Sequence, residues 1–532
     1  MKLSGASLKD KTFWEKAGIT LPRFDRDAMI SAVNTAPKWV HFGAGNIFRA
    51  FPAALMQQLL EEGVETTGII VAEGYDGEII DKCFTAYDNL TVLVTLKSDG
   101  TTDKQIIASV AQAVRMDREL SALKKIFTSA SLQMASFTIT EKGYSLKGRD
   151  NLLYADIAED LKTGPASPKS YLGRIASLIH ERYTSGALPL AMVSMDNCSH
   201  NGDILFAAME AVAKGWVENG VVSAGFLDYI RDKNKVSFPW TMIDKITPRP
   251  DDSVRDMLVS YGLEDMQGSV TEKNTYIAPF VNAEETQYLV VEDVFPNGRP
   301  ALEKAGVLFT GKETVDRVEK MKVCTCLNPL HTSLAVFGCL LGYTRISEEM
   351  KNPALVKLIE GVGYIEGLPV VTDPVIIKPK EFIDQVIKVR LPNPFMPDAP
   401  QRIAMDSSLK IPIRFGETLK AYQKEGKDCS QLKLIPLVFA GWLRYLLGID
   451  DNGSRFDVSP DPNYENLSAS LAGISLGQKG PFHDKLQPIL SNPAFFGVNL
   501  YDAGLGQKVE ELFTQMLAGP QAVRKTLNSV CL

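Results

Sequence analysis

Over the first three hundred residues, short β-rich runs alternate with helical patterns, and then the strands stop. KWVHFG (38–43), TGIIVAE (67–73), LTVLVTL (90–96), SFTIT (136–140) and LAMVSM (190–195) have the length and apolar content of strands. Between them, FPAALMQQLLEE (51–62), ELSALKKIFTS (119–129) and DILFAAMEAVAKGWVE (203–218) carry apolar residues at helical spacing. Strands separated by helix-length segments are joined by crossovers, which predicts an α/β fold with a mostly parallel, doubly wound sheet. Beyond about residue 312 the helical patterns dominate: ETVDRVEKMKV (313–323), PALVKLIEGV (353–362), KLIPLVFAGWLRYLLG (433–448) and KVEELFTQMLAG (508–519). The division expected is a nucleotide-binding domain over 1–311 and an all-α domain over 312–532.

Composition excludes several functions. A hydrophobic share of 45% and a charged share of 23% suit a folded globular chain. The net charge of -7 gives no reason to expect nucleic acid or an anionic membrane as partner. No apolar run of the length needed to span a bilayer is apparent, and the charged N-terminus, MKLSGASLKDKTFWEKAG, does not resemble a signal peptide. Seven thinly spread cysteines suit a reduced, cytoplasmic protein. Cys324 and Cys326 lack a second pair, so core thiols are favoured over a metal site. The expected partner is a small molecule, and the chain is expected as a monomer or small homo-oligomer.

HFGAGNIFRAF (41–51) places Gly43 and Gly45 between a strand and a helix. Such a turn can cradle a pyrophosphate: Gly43 allows the bend, Gly45 the close approach, and the helix start offers free N–H groups. The third glycine of the usual dinucleotide fingerprint is replaced by Phe48, which predicts wider packing there, while Arg49 is a cation that could reach a phosphate. TGIIVAE ends in Glu73, the acid expected at ribose hydroxyls, which favours NAD over NADP. An ordinary strand–helix turn is the competing reading.

EKMKVCTCLNPLH (319–331) sets Glu319, Lys322, Asn328 and His331 close in sequence. A lysine can act as general base toward a secondary alcohol once its pKa is depressed, and an asparagine can stabilise the developing alkoxide. Without further context, a solvated lysine and polar helix-end residues explain the same string.

These motifs resemble those of the polyol-specific long-chain dehydrogenase/reductase family, and the resemblance spans nearly the whole chain. It is carried by HFGAGNIFRAF, TITEKGY (138–144), SMDNCSHNG (194–202), VSFPWTMIDKITP (236–248), VFPNGRPALEKAGVLF (294–309), RLPNPFMPDAPQRIAMDSSLKIP (390–412) and IDDNGSRFDVSPDP (449–462). The resemblance implies a Rossmann-type domain followed by a helical domain, NAD as cofactor, no catalytic metal, and a lysine base. By motif, Lys322 would be the base, Asn328 and Asn197 the two donors to the reacting oxygen, and Glu319 a proton relay. His331, Asp244, Arg402 and Lys410 would bind substrate hydroxyls or a carboxylate. Gly43, Gly45, Asn46, Ile47, Phe48, Arg49, Glu73, Thr140 and Asn197 would line the cofactor.

Plainer roles compete with some of these. Asn197 and His200 could cap the helix near Gly202, Asp244 could pair with Lys245 or Arg249, and Arg402 and Lys410 could be surface cations. His41 and His180 read as structural histidines; His483 stays undecided. One departure stands out: five residues, VCTCL, separate Lys322 from Asn328, where the family has four. On a regular helix the extra residue turns the lysine by about 100° relative to Asn328. A π-bulge, favoured by Pro329, would absorb it. The stretch NAEETQYLVVED (282–293) before VFPNGRP is also longer than the family pattern. The implied activity is a secondary alcohol–ketone interconversion on a sugar acid or polyol. QRIAMDSSLKIP points to D-mannonate and D-fructuronate ahead of mannitol and fructose. A catalytically inactive NAD-binding sensor or scaffold is the alternative of another class.

Overall fold

In the computed structural model, which describes all 532 residues, the chain divides into two compact units. One comprises Met1–Leu96 and Thr101–Asp316, the other Arg317–Leu532 with Lys97–Gly100.

The first unit is built on a six-stranded sheet. Its strands are β1 (Trp39–Phe42), β2 (Ile69–Glu73), β3 (Val110–Arg115), β4 (Met134–Phe137), β5 (Leu190–Ser194) and β6 (Val236–Ser237). They lie in the order β3-β2-β1-β4-β5-β6, every pair parallel. β1, β2, β4 and β5 are buried at every residue, as strands covered on both faces must be. Phe42 and Phe137 stack at 5.0 Å across the β1–β4 pair. The strand order reverses between β1 and β4, and in open parallel sheets ligands bind outside the carboxyl ends at that point.

Two strand expectations need correction. LTVLVTL does form a strand, Thr91–Leu96, but it pairs antiparallel with Thr102–Ile107 and parallel with Phe280–Glu284 in a separate three-stranded sheet. The strand that completes the main sheet is VAQAVR (110–115), an edge strand whose half-exposed Gln112, Ala113 and Arg115 break the apolar signal. SFTIT is displaced: β4 ends at Phe137, and Thr138–Thr140 leave the sheet at its carboxyl edge.

The helices that matter for the site are α1 (Asn46–Ala50), α2 (Asn201–Glu218), α3 (Lys312–Met321), α4 (Asn328–Leu341), α5 (Pro400–Ile403), α6 (Ser407–Arg414) and α7 (Leu434–Tyr445). The second unit contains no strand, only the isolated bridge Ile449–Arg455. α4 and α7 pack together and are apolar all round, with nearly every side chain buried, as the centre of a helical core requires. Helix runs from Lys312 to Leu341 through the turn between α3 and α4. One stretch of it is apolar enough to cross a membrane, contrary to the reading of the sequence, but most of that stretch is buried as core.

Candidate active site

In the first unit, the carboxyl edge of the sheet is organised by three buried polar side chains. Gly43 ends β1 with φ 105°, and a Cβ there would lie 2.2 Å from the Thr138 carbonyl, so only glycine fits. Gly45 is different: an added Cβ would meet no atom within 4 Å, so the approach to the start of α1 is open. Glu73, 6% exposed, accepts hydrogen bonds from the N–H groups of Ala44 (2.9 Å), Tyr75 (2.8 Å) and Asp76 (3.2 Å). The carboxylate expected at a ribose thus first ties the glycine loop to the turn after β2.

Two neighbours do not take the places expected of them. Arg49 is 1% exposed, and its guanidinium donates to the Ala278 carbonyl (2.8 Å) and to Asn46 Oδ1 (2.9 Å). It therefore braces the loop from behind and does not extend toward a phosphate. Phe48 packs inward, stacked on His41 at 4.3 Å, so the missing third glycine is filled by a ring in the core.

His41, fully buried, links the loop to β4. Trp39 Nε1–H can only donate, and it reaches Ser136 Oγ (2.6 Å); Ser136 Oγ lies 2.7 Å from His41 Nδ1. The Ser136 hydroxyl therefore donates to Nδ1, which puts the ring proton on Nε2, facing Thr138 Oγ1 at 2.9 Å. Thr138 in turn donates to the Gly43 carbonyl (3.3 Å). Burial pulls this imidazole down to about 3, so it is neutral and the direction of the chain is fixed.

Asp196, after β5, is the third. Its carboxylate accepts from Ile139 N–H (3.0 Å), Thr140 N–H (2.8 Å) and the Tyr144 hydroxyl (2.6 Å). Burial raises its pKa, opposed by those three donors. Thr140, exposed, has φ 64° and ψ 157°, a region that L-residues seldom adopt. Asn197 follows Asp196 with its side chain exposed, and Asp244 is buried at the end of the strand Thr241–Asp244. His200 precedes α2 at φ 53° without capping it; its ring stacks on Trp240 at 4.0 Å.

In the second unit, Lys322 is 4% exposed and opens a π-turn, Lys322–Cys326, between α3 and α4. Leu327 N–H bonds the Lys322 carbonyl (3.1 Å), the i→i+5 bond that accommodates one additional residue, and Pro329 stands in the first turn of α4. The spacing anomaly is thus resolved by a bulge at the lysine itself. Glu319 and Asn328 are half-buried on either side. Cys326 is buried, which pushes its thiol up, and no three His, Cys, Asp or Glu side chains gather as a metal set would.

His331, at the fourth residue of α4, has Nε2 3.0 Å from Asp398 Oδ2. The approach is off the line of a good hydrogen bond, since Nε2 is buried without a well-aligned partner. A bare nitrogen lone pair would repel the carboxylate at this distance, so Nε2 carries the proton and, in the neutral ring, Nδ1 is an acceptor. Arg402 binds the other oxygen of Asp398, and the carboxyl is held below its usual range: burial opposes this, but His331 and Arg402 outweigh it. Lys410 donates to the Met405 (2.5 Å) and Ile403 (3.5 Å) carbonyls. Arg414 donates to Thr332 Oγ1 at 2.6 Å. Asp398 and Arg414 were not singled out in the sequence. Only their place in the same motif, beside Arg402 and Lys410, could have drawn attention to them.

Two family models cover most of the chain. The mannitol dehydrogenase Rossmann domain matches residues 37–304, and the mannitol dehydrogenase C-terminal domain matches 314–517. The chain belongs to the mannitol dehydrogenase family. It is 52% identical to D-mannonate oxidoreductase of Thermotoga maritima over 100% of its own length and 99% of that protein. Among solved structures, substrate-free D-sorbitol dehydrogenase matches with TM-score 0.81 at 25% identity, over 98% of this chain and 100% of that one. Mannitol 2-dehydrogenase of Pseudomonas fluorescens, in ternary complex with NAD and D-mannitol, matches with TM-score 0.69 at 25% identity, over 99% of each chain.

Proposed function

We propose that this protein is an NAD-dependent oxidoreductase that interconverts D-mannonate and D-fructuronate, using Lys322 as general base. The observation that carries the substrate is the full-length identity of 52% to D-mannonate oxidoreductase. NAD is supported by the mannitol 2-dehydrogenase complex and by the loop at Gly43 and Gly45, where a side chain would be absent from the line of approach. The reaction needs no metal; it acts on a small diffusible substrate, with the chain working as a monomer or small homo-oligomer in the cytoplasm.

The loop at Gly43 and Gly45 would hold NAD, which would supply the hydride acceptor for alcohol oxidation. Lys322 Nζ takes the hydroxyl proton in alcohol oxidation and returns it to the oxygen in ketone reduction. Asn328, and by its motif Asn197, donate N–H groups to that oxygen as charge develops on it. Glu319, one helical turn before Lys322, passes the proton on to solvent. His331, with Nδ1 as acceptor, takes a hydrogen bond from a substrate hydroxyl, and Asp244 binds another. Gly43, Gly45, Asn46, Ile47 and Phe48 shape the nucleotide loop, with Thr140 and Asn197 beside it.

The test follows NADH absorbance with D-fructuronate and D-fructose in reduction, and with D-mannonate and D-mannitol in oxidation. The uronate pair should win by at least about tenfold in kcat/KM. A preference for mannitol and fructose would replace this reading with that of a mannitol 2-dehydrogenase.

A further inference from the structure

The charge balance around α5 and α6 distinguishes three cations that look equivalent in sequence. Arg402 is paired, because its guanidinium sits on Asp398, which also meets His331. Lys410 is held by two main-chain carbonyls, which fix its amine without neutralising it. Arg414 is unlike both. It lies at the end of α6, largely withdrawn from water, with Thr332 as its hydrogen-bond acceptor and no carboxylate to balance it. Burial alone pulls it down to about 10, and no acidic neighbour offsets the effect.

Its location is as informative as its charge. Thr332 follows His331 on α4, so Arg414 reaches the turn that carries a candidate substrate ligand. α6 also packs beside the π-turn that begins with Lys322, and Thr418 just beyond it donates to the Cys324 carbonyl (3.1 Å). Burial lowers the pKa of Lys410, one turn earlier on α6, and Arg414 adds to that effect while Asp406 opposes it. Asp406 and Asp461 offset part of the Lys410 charge, whereas no carboxylate acts on Arg414. A withdrawn guanidinium without a counter-ion is costly, and a bound anion removes that cost. Thr332 occupies one N–H of the planar fork, which leaves others for a carboxylate.

We propose that Arg414, seconded by Lys410, receives the terminal carboxylate of the sugar acid, while Arg402 is a positioning residue that fixes Asp398 and through it His331. This inference rests on the sugar-acid reading given above. It identifies Arg414 as the residue that separates acid substrates from neutral polyols.

The experiment is steady-state kinetics on the full-length wild type, Arg414→Met, Arg414→Lys and Arg402→Met, with NADH and either D-fructuronate or neutral D-fructose. Arg414→Met should raise the KM for fructuronate by about 10- to 100-fold, the loss of a charge-assisted contact, and leave fructose and NADH affinity within about threefold. Arg402→Met should affect both ketoses together. The inference is overturned if Arg414→Met impairs both ketoses equally, or if Arg402→Met shows the acid-selective loss. Should Arg414→Met not fold, Arg414→Lys decides. It keeps the charge but loses the fork, so it should weaken fructuronate several-fold and spare fructose, and equal effects refute the assignment. A wild type that reduces fructose but no uronate would instead bring down the substrate reading itself.

Discussion

Removing the Asp196 carboxylate should loosen one particular loop and register first in cofactor affinity. Asp196→Ala deprives Ile139 N–H, Thr140 N–H and the Tyr144 hydroxyl of one ionised acceptor. Hydrogen bonds to a charged group contribute about 1.5–3 kcal/mol each. Against that loss, Thr140 can leave its conformation at φ 64° and ψ 157°, which returns about 1–3 kcal/mol of backbone strain. Water also reaches the exposed side of the loop, so the net destabilisation should be about 3 kcal/mol, a melting shift of roughly 5 °C for a unit of this size. The KM for NAD should rise at least about tenfold, because the crest after β4 would no longer be held in one shape. Thr140→Gly supplies the control. Glycine tolerates this φ and ψ, so the single variant should be as stable as wild type or more so. In its background the cost of Asp196→Ala concerns lost hydrogen bonds without strain relief, so the two effects must not add. Strict additivity in melting, together with an unchanged KM for NAD in Asp196→Ala, would refute the claim that Asp196 stores strain at Thr140 for the cofactor.

Lys322→Ala should lower kcat for mannonate oxidation by at least about 10²-fold with little change in NADH binding measured by fluorescence titration; near-normal turnover would leave the reaction without its base. Glu73→Gln should keep one acceptor for the glycine loop and weaken NAD binding modestly, whereas comparable wild-type kcat/KM for NAD and NADP would show that Glu73 does not select between them. Prolonged dialysis against a strong chelator should leave activity intact, and zinc-restorable loss would overturn the lysine mechanism. Glu349 is fully buried, with both carboxyl oxygens lacking a hydrogen-bond partner, and burial raises its pKa well above the ordinary value. A raised carboxyl contributes its full stability below the unfolded pKa of about 4.3 and loses it as pH rises toward the native value, at up to about 1.4 kcal/mol per pH unit. Urea unfolding between pH 4.5 and 8 (roughly the window this sign implies) should therefore show a slope that Glu349→Gln flattens.

Much of the first unit was legible because its strands are apolar on both faces and separated by helix-length spacers. β1, β2 and β5 fall where the runs WVHF, IIVAE and LAMVS place them. What failed was partner choice. Nothing local in LTVLVTL says that it pairs with Thr102–Ile107 and not with the main sheet, and the edge strand VAQAVR carries too little apolar pattern to compete with it. The candidate site was legible in part: the glycine spacing suggested a cofactor loop, whereas roles for Glu319 to His331 came from the resemblance and not from the string itself. Ownership of charges was not legible. Glu73 is spent on main-chain N–H groups, Arg49 on the Ala278 carbonyl and Asn46, and Arg402 on Asp398, through contacts between residues that are distant in sequence or lie in an irregular loop.

The inserted residue before Asn328 shows how a spacing anomaly can be read physically. If Lys322 and Asn328 serve one substrate as proposed, the helix between them cannot take an extra residue and remain regular, because about 100° of rotation would separate them. The i→i+5 bond from Leu327 N–H to the Lys322 carbonyl widens one turn and takes up the insertion where it occurs. Pro329 favours this arrangement, since it offers no N–H to the carbonyl that a regular helix would have paired with it. Deleting Val323 should therefore restore the four-residue spacing and convert the π-turn into α-helix without unfolding the unit. If the bulge exists only to absorb the insertion, the deletion variant retains kcat within about tenfold and unfolds no more easily than wild type. A loss of kcat as large as that of Lys322→Ala, in a variant that still melts normally and binds NADH, would show that the widened turn itself aims the base.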